Sequence, residues 1–364
     1  MEERQKHFER PTTNRPPSLV NLGLLTVTIA VVGGALGFWA MQALSWNNTS
    51  LNPLGELNRN ITVNLEQPLT DLARKYEQSV AGVYTAKAIA PKLEQMTFTS
   101  EDYLGAATVV TSDGWLMSTD QVVKTGKEMI VLNDKIYPIK EMKADEFSNL
   151  VFVKIEANFL QPIDFQLTSK LAVAETVFTN FDVPQAIEHA FYRDYLAHEH
   201  YQIDQYLSTD KVDYYLRLGG DQTESTNLAA TPFFNVKGDV LGVFYQVKED
   251  KLLIPAEYLK QAVKTLLSQT KRPNLGLYYF DFENQAGFTE KGHLLYHAQL
   301  SAVTANSVAA KAGLKVGDQV LAVNNEVISA ERSLTSIIQS YRPGDKILLK
   351  ISRNDLEQEI EVQL

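Results

Sequence analysis

The pattern of apolar and polar positions divides the chain into three regions. From Pro16 to Gly55 no charged residue occurs. From Val80 onward, apolar residues come in short bursts separated by Gly, Asp and Asn, the signature of strands joined by turns. Past Arg272 the bursts alternate with two short helical patterns, one around Ala309–Ala312 and one over Leu334–Tyr341.

The first region predicts a membrane-crossing helix. Its core, Leu22 to Leu44, suffices at 1.5 Å per residue for a hydrocarbon layer of about 30 Å. Trp39 and Trp46 suit an interfacial belt. Arg4, Lys6, Arg10 and Arg15 precede the span and only Arg59 follows it closely. This bias predicts a cytoplasmic N-terminus and an extracytoplasmic bulk, on the cell-surface or periplasmic side. The apolar length and the lack of an A-x-A site after it favour an anchor over a cleaved leader. Gly33 and Gly37 form a small-residue face suited to helix association. The predicted organisation is a tail over 1–17, a span over 18–46, a linker over 47–64, a β-rich domain over 65–271 and a second domain over 272–364.

In the β-rich domain, Leu69, Leu72, Ala73 and Tyr76 have helical spacing. Strands are predicted at Val80–Thr85, Met129–Leu132, Leu150–Ile155, Thr176–Asn180 and Val212–Arg217. Asp113-Gly114 marks a hairpin between Thr108–Thr111 and Trp115–Ser118; Lys237-Gly238 marks another between Pro232–Asn235 and Asp239–Tyr245. Many short strands argue for a barrel or sandwich. Leu259, Val263, Leu266 and Leu267 share one face of a helix over Pro255–Ser268.

Composition removes several chemistries. Without cysteine there is no disulfide, thiol nucleophile or thiolate metal site. A formal net charge of −10 argues against nucleic acid as a partner. Nothing implies a cofactor. Residues 188–206 are dense in Tyr, His and acids. His198 and His200 share one face of a strand, with Glu199 opposite. With His189 they leave three readings open: a polar strand pair, a partner-contact surface, or a metal-dependent module.

Specific motifs sharpen the picture. The stretch Gly105 to Val123 resembles the hairpin of the HtrA/Deg family of trypsin-like serine proteases that ends in the catalytic histidine. Gly105, Asp113, Gly114, Val122 and Val123 are in register, and Gln121 stands at the histidine's place. Asp145 to Ile155 resembles the family's D-x-x-x-D-L-A-V-L-K-I segment, with Asn149 where the triad acid is expected. Asn227 to Val243 resembles the segment around the nucleophile, with Ala229 in the serine's position and Ala230 and Thr231 in place of two glycines. Independently of any register, no histidine lies between His7 and His189, where such a barrel draws its base. The triad needs a hydroxyl, an imidazole and a carboxylate, and Gln121, Asn149 and Ala229 supply none of them. Ala230 and Thr231 are also expected to resist the backbone shape that the family's glycines allow.

The C-terminal region resembles an HtrA-type PDZ domain. Ala309-Ala310, Ala312-Gly313-Leu314, Gly317-Asp318 and Val323-Asn324 carry its signature. The resemblance implies peptide capture by strand addition, with the amides of Leu275, Gly276 and Leu277 taking a terminal carboxylate and Leu334 and Ile338 lining the groove.

The expected fold is therefore mainly β: a trypsin-like double β-barrel followed by an α+β PDZ domain, with one N-terminal transmembrane helix. The expected function is that of a catalytically inactive, membrane-anchored pseudoprotease. It binds peptides or unfolded-protein C-termini, or scaffolds an active relative, as a homotrimer or a mixed assembly with an active HtrA protease. The alternative is a divergent serine endopeptidase in protein quality control, with a relocated centre such as Ser225.

Overall fold

The computed structural model describes residues 76–86, 96–165, 171–182, 189–204, 206–220, 228–281, 287–288, 294–295, 298–329 and 332–364. The chain divides into Met1–Asn64 and Leu65–Leu364, and the described residues all belong to the second. The expected span over 18–46, the linker and Ser225 lie outside them. Among the described residues no helix is long and apolar enough to cross a membrane.

Two β-structures are followed by a third. The first is a seven-stranded antiparallel sheet built from β1 (Val80–Tyr84), β2 (Tyr103–Val109), β3 (Trp115–Thr119), β4 (Met129–Leu132), β5 (Lys135–Pro138), β6 (Glu141–Asp145) and β7 (Leu150–Lys154), in the order β5-β4-β1-β2-β3-β7-β6. The Asp113-Gly114 turn joins β2 to β3 as its dipeptide predicts. The second is a closed barrel of β8 (Thr176–Asp182), β9 (His189–Tyr201), β11 (Tyr215–Leu218), β12 (Pro232–Asn235), β13 (Val240–Val247) and β14 (Asp250–Pro255). The aromatic- and histidine-rich stretch resolves as the β8–β9 ribbon, paired from Thr176 with Tyr195 to Asp182 with His189. Its His198 is exposed. Among the described residues no group of three or more His, Asp or Glu side chains could hold a metal ion.

Helix α1 (Ala256–Ser268) closes the barrel region. Its Tyr258, Leu259 and Ala262 are buried against Phe147, Tyr215 and other residues of both β-structures, in one shared apolar cluster. The strand expected from Val212 begins only at Tyr215. The Val212 amide is taken by the Phe147 carbonyl, and the buried Asp213 carboxylate accepts hydrogen bonds from the hydroxyls of Tyr258 and Tyr279.

The third structure is the PDZ sheet. It holds β15 (Leu277–Asp281), β18 (Ala298–Val303), β19 (Gln319–Val323), β20 (Glu326–Val327), β21 (Lys346–Arg353) and β22 (Leu356–Gln363), with the small hairpin β16 (Gly287–Phe288) and β17 (Leu294–Leu295) beside them in sequence. Helix α2 (Val308–Ala312) is capped by Gly313 at φ 86°. Helix α3 (Leu334–Ser340) is buried along most of its length. One strand of this sheet comes from elsewhere: β10 (Leu207–Ser208), between two barrel strands in sequence, pairs with β15 and forms the sheet's edge.

Candidate functional site

Two sites follow from this fold, one on the barrels and one on the PDZ sheet. The first collects Gln121, Asn149 and Ala229, the positions at which the sequence resemblance expects a catalytic triad. Gln121 follows β3 and is half-buried. Its Nε2 donates to the Gln246 carbonyl at 2.6 Å, and its Oε1 accepts from the Gln246 amide at 3.3 Å. Asn149 sits in the turn before β7 at φ 58°, a left-handed shape that asparagine tolerates. Its Nδ2 donates to the Tyr245 hydroxyl at 3.2 Å. Adjacent residues of β13 thus hold both side chains.

Ala229 reaches the same neighbourhood from the loop before β12. Its carbonyl accepts from the Ala106 amide at 2.8 Å. Gly105 makes this approach possible: at φ 148°, a Cβ there would lie 2.5 Å from the Ala229 carbonyl oxygen and 2.7 Å from Val122 Cγ2. Ala230 departs from expectation, because it takes φ 59°. Its amide is fixed on the Phe244 carbonyl at 3.1 Å, and its side chain is buried. A left-handed alanine costs about 1–2 kcal/mol, and these contacts outweigh it.

The chemistry available here is limited. Amides hold positions 121 and 149, and a methyl group stands at 229. Burial and the neighbouring Asp120 carboxylate push the Tyr245 hydroxyl up to about 12, so it stays protonated at neutral pH. Tyr245 and Gln246 are the parts that sequence reasoning missed. Nothing local marks them, since they read as ordinary positions of a strand.

The second site is the groove between β15 and α3. The residues expected to form it do converge: Leu275, Leu277, Leu334 and Ile338 are fully buried in one cluster. Gly276 stands at φ 77°, where a Cβ would meet Ser307 Cβ at 2.4 Å. The groove is filled, however. Leu207 joins its apolar cluster, and both Asp210 carboxylate oxygens accept at 2.9 Å, one from the Leu275 amide and one from the Gly276 amide.

A trypsin-like double barrel carrying a PDZ domain is the class of protein these features define. Residues 280–364 match a family model described as a PDZ domain. The chain is 26% identical over 272 residues to a "Probable periplasmic serine endoprotease DegP-like" of Marinomonas sp. (strain MWYL1), covering 72% of this chain and 56% of that relative. A protein of the same description from Pseudomonas putida (strain GB-1) is 24% identical over 274 residues, covering 72% and 56%. The chain therefore spans about half the length of the curated relatives it matches. Among solved structures, "HtrA-type protease AlgW with decapeptide" superposes with a TM-score of 0.58 at 15% identity, covering 81% of this chain and 97% of that one. The form "with tripeptide" gives 0.59 at 15% identity, covering 81% and 95%. Fold and relatives together show a trypsin-like protease fold followed by a PDZ domain, an arrangement similar to that of HtrA-type proteins.

Proposed function

We propose that this protein is a catalytically inactive HtrA-type receptor, tethered to a membrane by the apolar run Leu22–Leu44 and working on the extracytoplasmic side. The single observation that carries this reading is the pairing of Gln121 with the Gln246 backbone. The position of a general base is taken by a carboxamide with no titratable nitrogen, and both ends of that carboxamide are engaged in holding two β-structures together. With Asn149 bound to Tyr245 and Ala229 lacking a hydroxyl, the three triad positions supply neither a serine nucleophile nor an imidazole base for acyl transfer. Peptide binding then falls to the PDZ groove, and assembly as a homotrimer or with an active HtrA protease is part of the same proposal.

The second reading is a serine endopeptidase in protein quality control, favoured by the relatives' description as serine endoproteases. A fluorophosphonate probe and an unfolded casein substrate, applied to the detergent-solubilised full chain, separate the two. The receptor reading expects no labelled serine and no turnover. Stoichiometric labelling of a serine whose replacement by alanine abolishes turnover establishes the peptidase instead.

A further inference from the structure

The segment after β9 occupies the PDZ groove in the pose of a bound peptide. Leu207 pairs antiparallel with Tyr279 and Ser208 with Tyr278. The next residue continues the pattern: the Thr209 amide donates to the Leu277 carbonyl at 3.1 Å, and the Leu277 amide donates to Thr209 Oγ1 at 3.2 Å. Side chains alternate as in any strand. Leu207 is buried in the groove's apolar cluster, Thr209 is buried with its hydroxyl on the Leu277 main chain, and Ser208 between them is half-buried. Helix α3 grips from the other side, with Thr335 Oγ1 donating to the Ser208 carbonyl at 3.1 Å and Gln339 Nε2 to the Thr209 carbonyl at 2.9 Å.

The end of the segment explains the rest. Asp210 places its side-chain carboxylate on the paired amides of Leu275 and Gly276, where an extended ligand would place a terminal carboxylate. Here the chain continues into Lys211, so a side chain stands in for a chain end. We infer that Leu207–Asp210 is a built-in occupant of the groove, and that the external ligand admitted in its place is a peptide with a free carboxylate, a small hydroxyl-bearing last residue and a leucine-like side chain two positions earlier. This inference rests on the peptide-binding reading proposed above.

Two consequences follow. A tethered occupant acts at an effective concentration on the order of millimolar, so an external peptide meets a strong competitor. The occupant also borders the barrel site. A cleft of about 310 Å³ has Asn149, Tyr245, Leu207, Ser208 and Tyr278 among its lining residues. Displacement of the segment therefore removes part of the lining of a cleft that reaches Asn149.

The test uses the full chain and a fluorescein-labelled peptide Tyr-Leu-Ser-Thr with a free C-terminus, against the same peptide amidated. Binding is followed by anisotropy for the wild type, Asp210→Asn and Leu207→Ser. Emptying the groove is expected to tighten binding of the free-acid peptide by ~10-fold or more, as removal of a closed state requires, with no binding of the amidated peptide. Hydrogen exchange supplies the second readout: the amides of 275–277 are protected in the wild type and lose protection in both variants. Free exchange of those amides in the wild type, with peptide affinity equal to that of the variants, overturns the occupant and leaves peptide binding standing. Variants whose amides exchange freely but which bind neither peptide overturn the ligand assignment, and the peptide-binding reading with it. The wild-type exchange pattern decides the occupant without any variant.

Discussion

Gln121 and Gln246 lie 125 positions apart and close a ring of two hydrogen bonds, side chain to main chain in both directions. The geometry belongs to a structural clamp. Gln121→Ala removes both bonds and leaves the Gln246 amide and carbonyl of β13 without this partner. At roughly 0.5–1.5 kcal/mol per bond, the expected loss for the two bonds is about 1–3 kcal/mol, read as a lower urea midpoint at unchanged slope. A loss of stability near zero would show that the clamp carries no load.

On the inactive-receptor proposal, acyl-transfer chemistry is expected to require changes at all three positions. Triad members act as a unit, so a hydroxyl without a base gains almost nothing. Ala229→Ser alone is expected to stay unreactive towards a fluorophosphonate, and so is Gln121→His with Asn149→Asp. Only the triple variant is expected to acquire measurable labelling. Labelling of the single serine variant would place a base within reach that the arrangement of Gln121 and Asn149 does not provide.

Arg272 binds Asp145 through two bonds, Nε to Oδ1 at 2.7 Å and Nη2 to Oδ2 at 2.8 Å, with both side chains nearly buried. Its guanidinium also lies 4.5 Å from the centre of the Phe147 ring. Breaking one half of a buried pair costs about 3–5 kcal/mol because the other charge is stranded. Arg272→Met and Asp145→Leu are each expected to fall in that range. The double variant should lose clearly less than the sum, as a double-mutant cycle on thermal unfolding would show. Arg272 also contacts Gln339, which holds the Thr209 carbonyl, so Arg272→Met should increase exchange at 209.

Burial raises the Asp213 carboxyl above its ordinary value, opposed by hydrogen bonds from Ser333, Tyr258 and Tyr279. The groups facing it are those three hydroxyls, with Glu257 and Tyr214 nearby on α1 and before β11. A carboxyl raised in the folded state stabilises it most below the unfolded value, and that contribution is lost as pH rises through the folded value. Asp213→Asn cannot ionise and keeps an acceptor for Tyr258. The melting temperature of Asp213→Asn relative to wild type is therefore expected to climb as pH is raised from 4 to 7. A difference that stays flat across that range would rule out a raised carboxyl.

The strands that sequence patterning located well are those whose limits are written locally. Asp113-Gly114 and Lys237-Gly238 dictate their turns, and Met129–Leu132 and Pro232–Asn235 begin and end where the apolar bursts do. Leu275, Leu277, Leu334 and Ile338, singled out from the dense C-terminal motifs, share one apolar cluster in the fold. The two-residue strand Leu207–Ser208 was not legible in the sequence. Its partner lies about seventy positions downstream, and neither its length nor its composition signals pairing. Ala230 was misjudged for a related reason: a backbone preference of about 1–2 kcal/mol yields to tertiary hydrogen bonds that no local window contains.

Because β10 comes from the barrel region, the PDZ sheet is not self-sufficient in sequence. A C-terminal fragment starting at Arg272 begins with β15 stripped of its outer neighbour, a bare row of main-chain donors and acceptors beside a hydrophobic trough. Two full-length molecules held close together can trade these segments, each lending its own to the other's trough, and so become linked without any new surface being made.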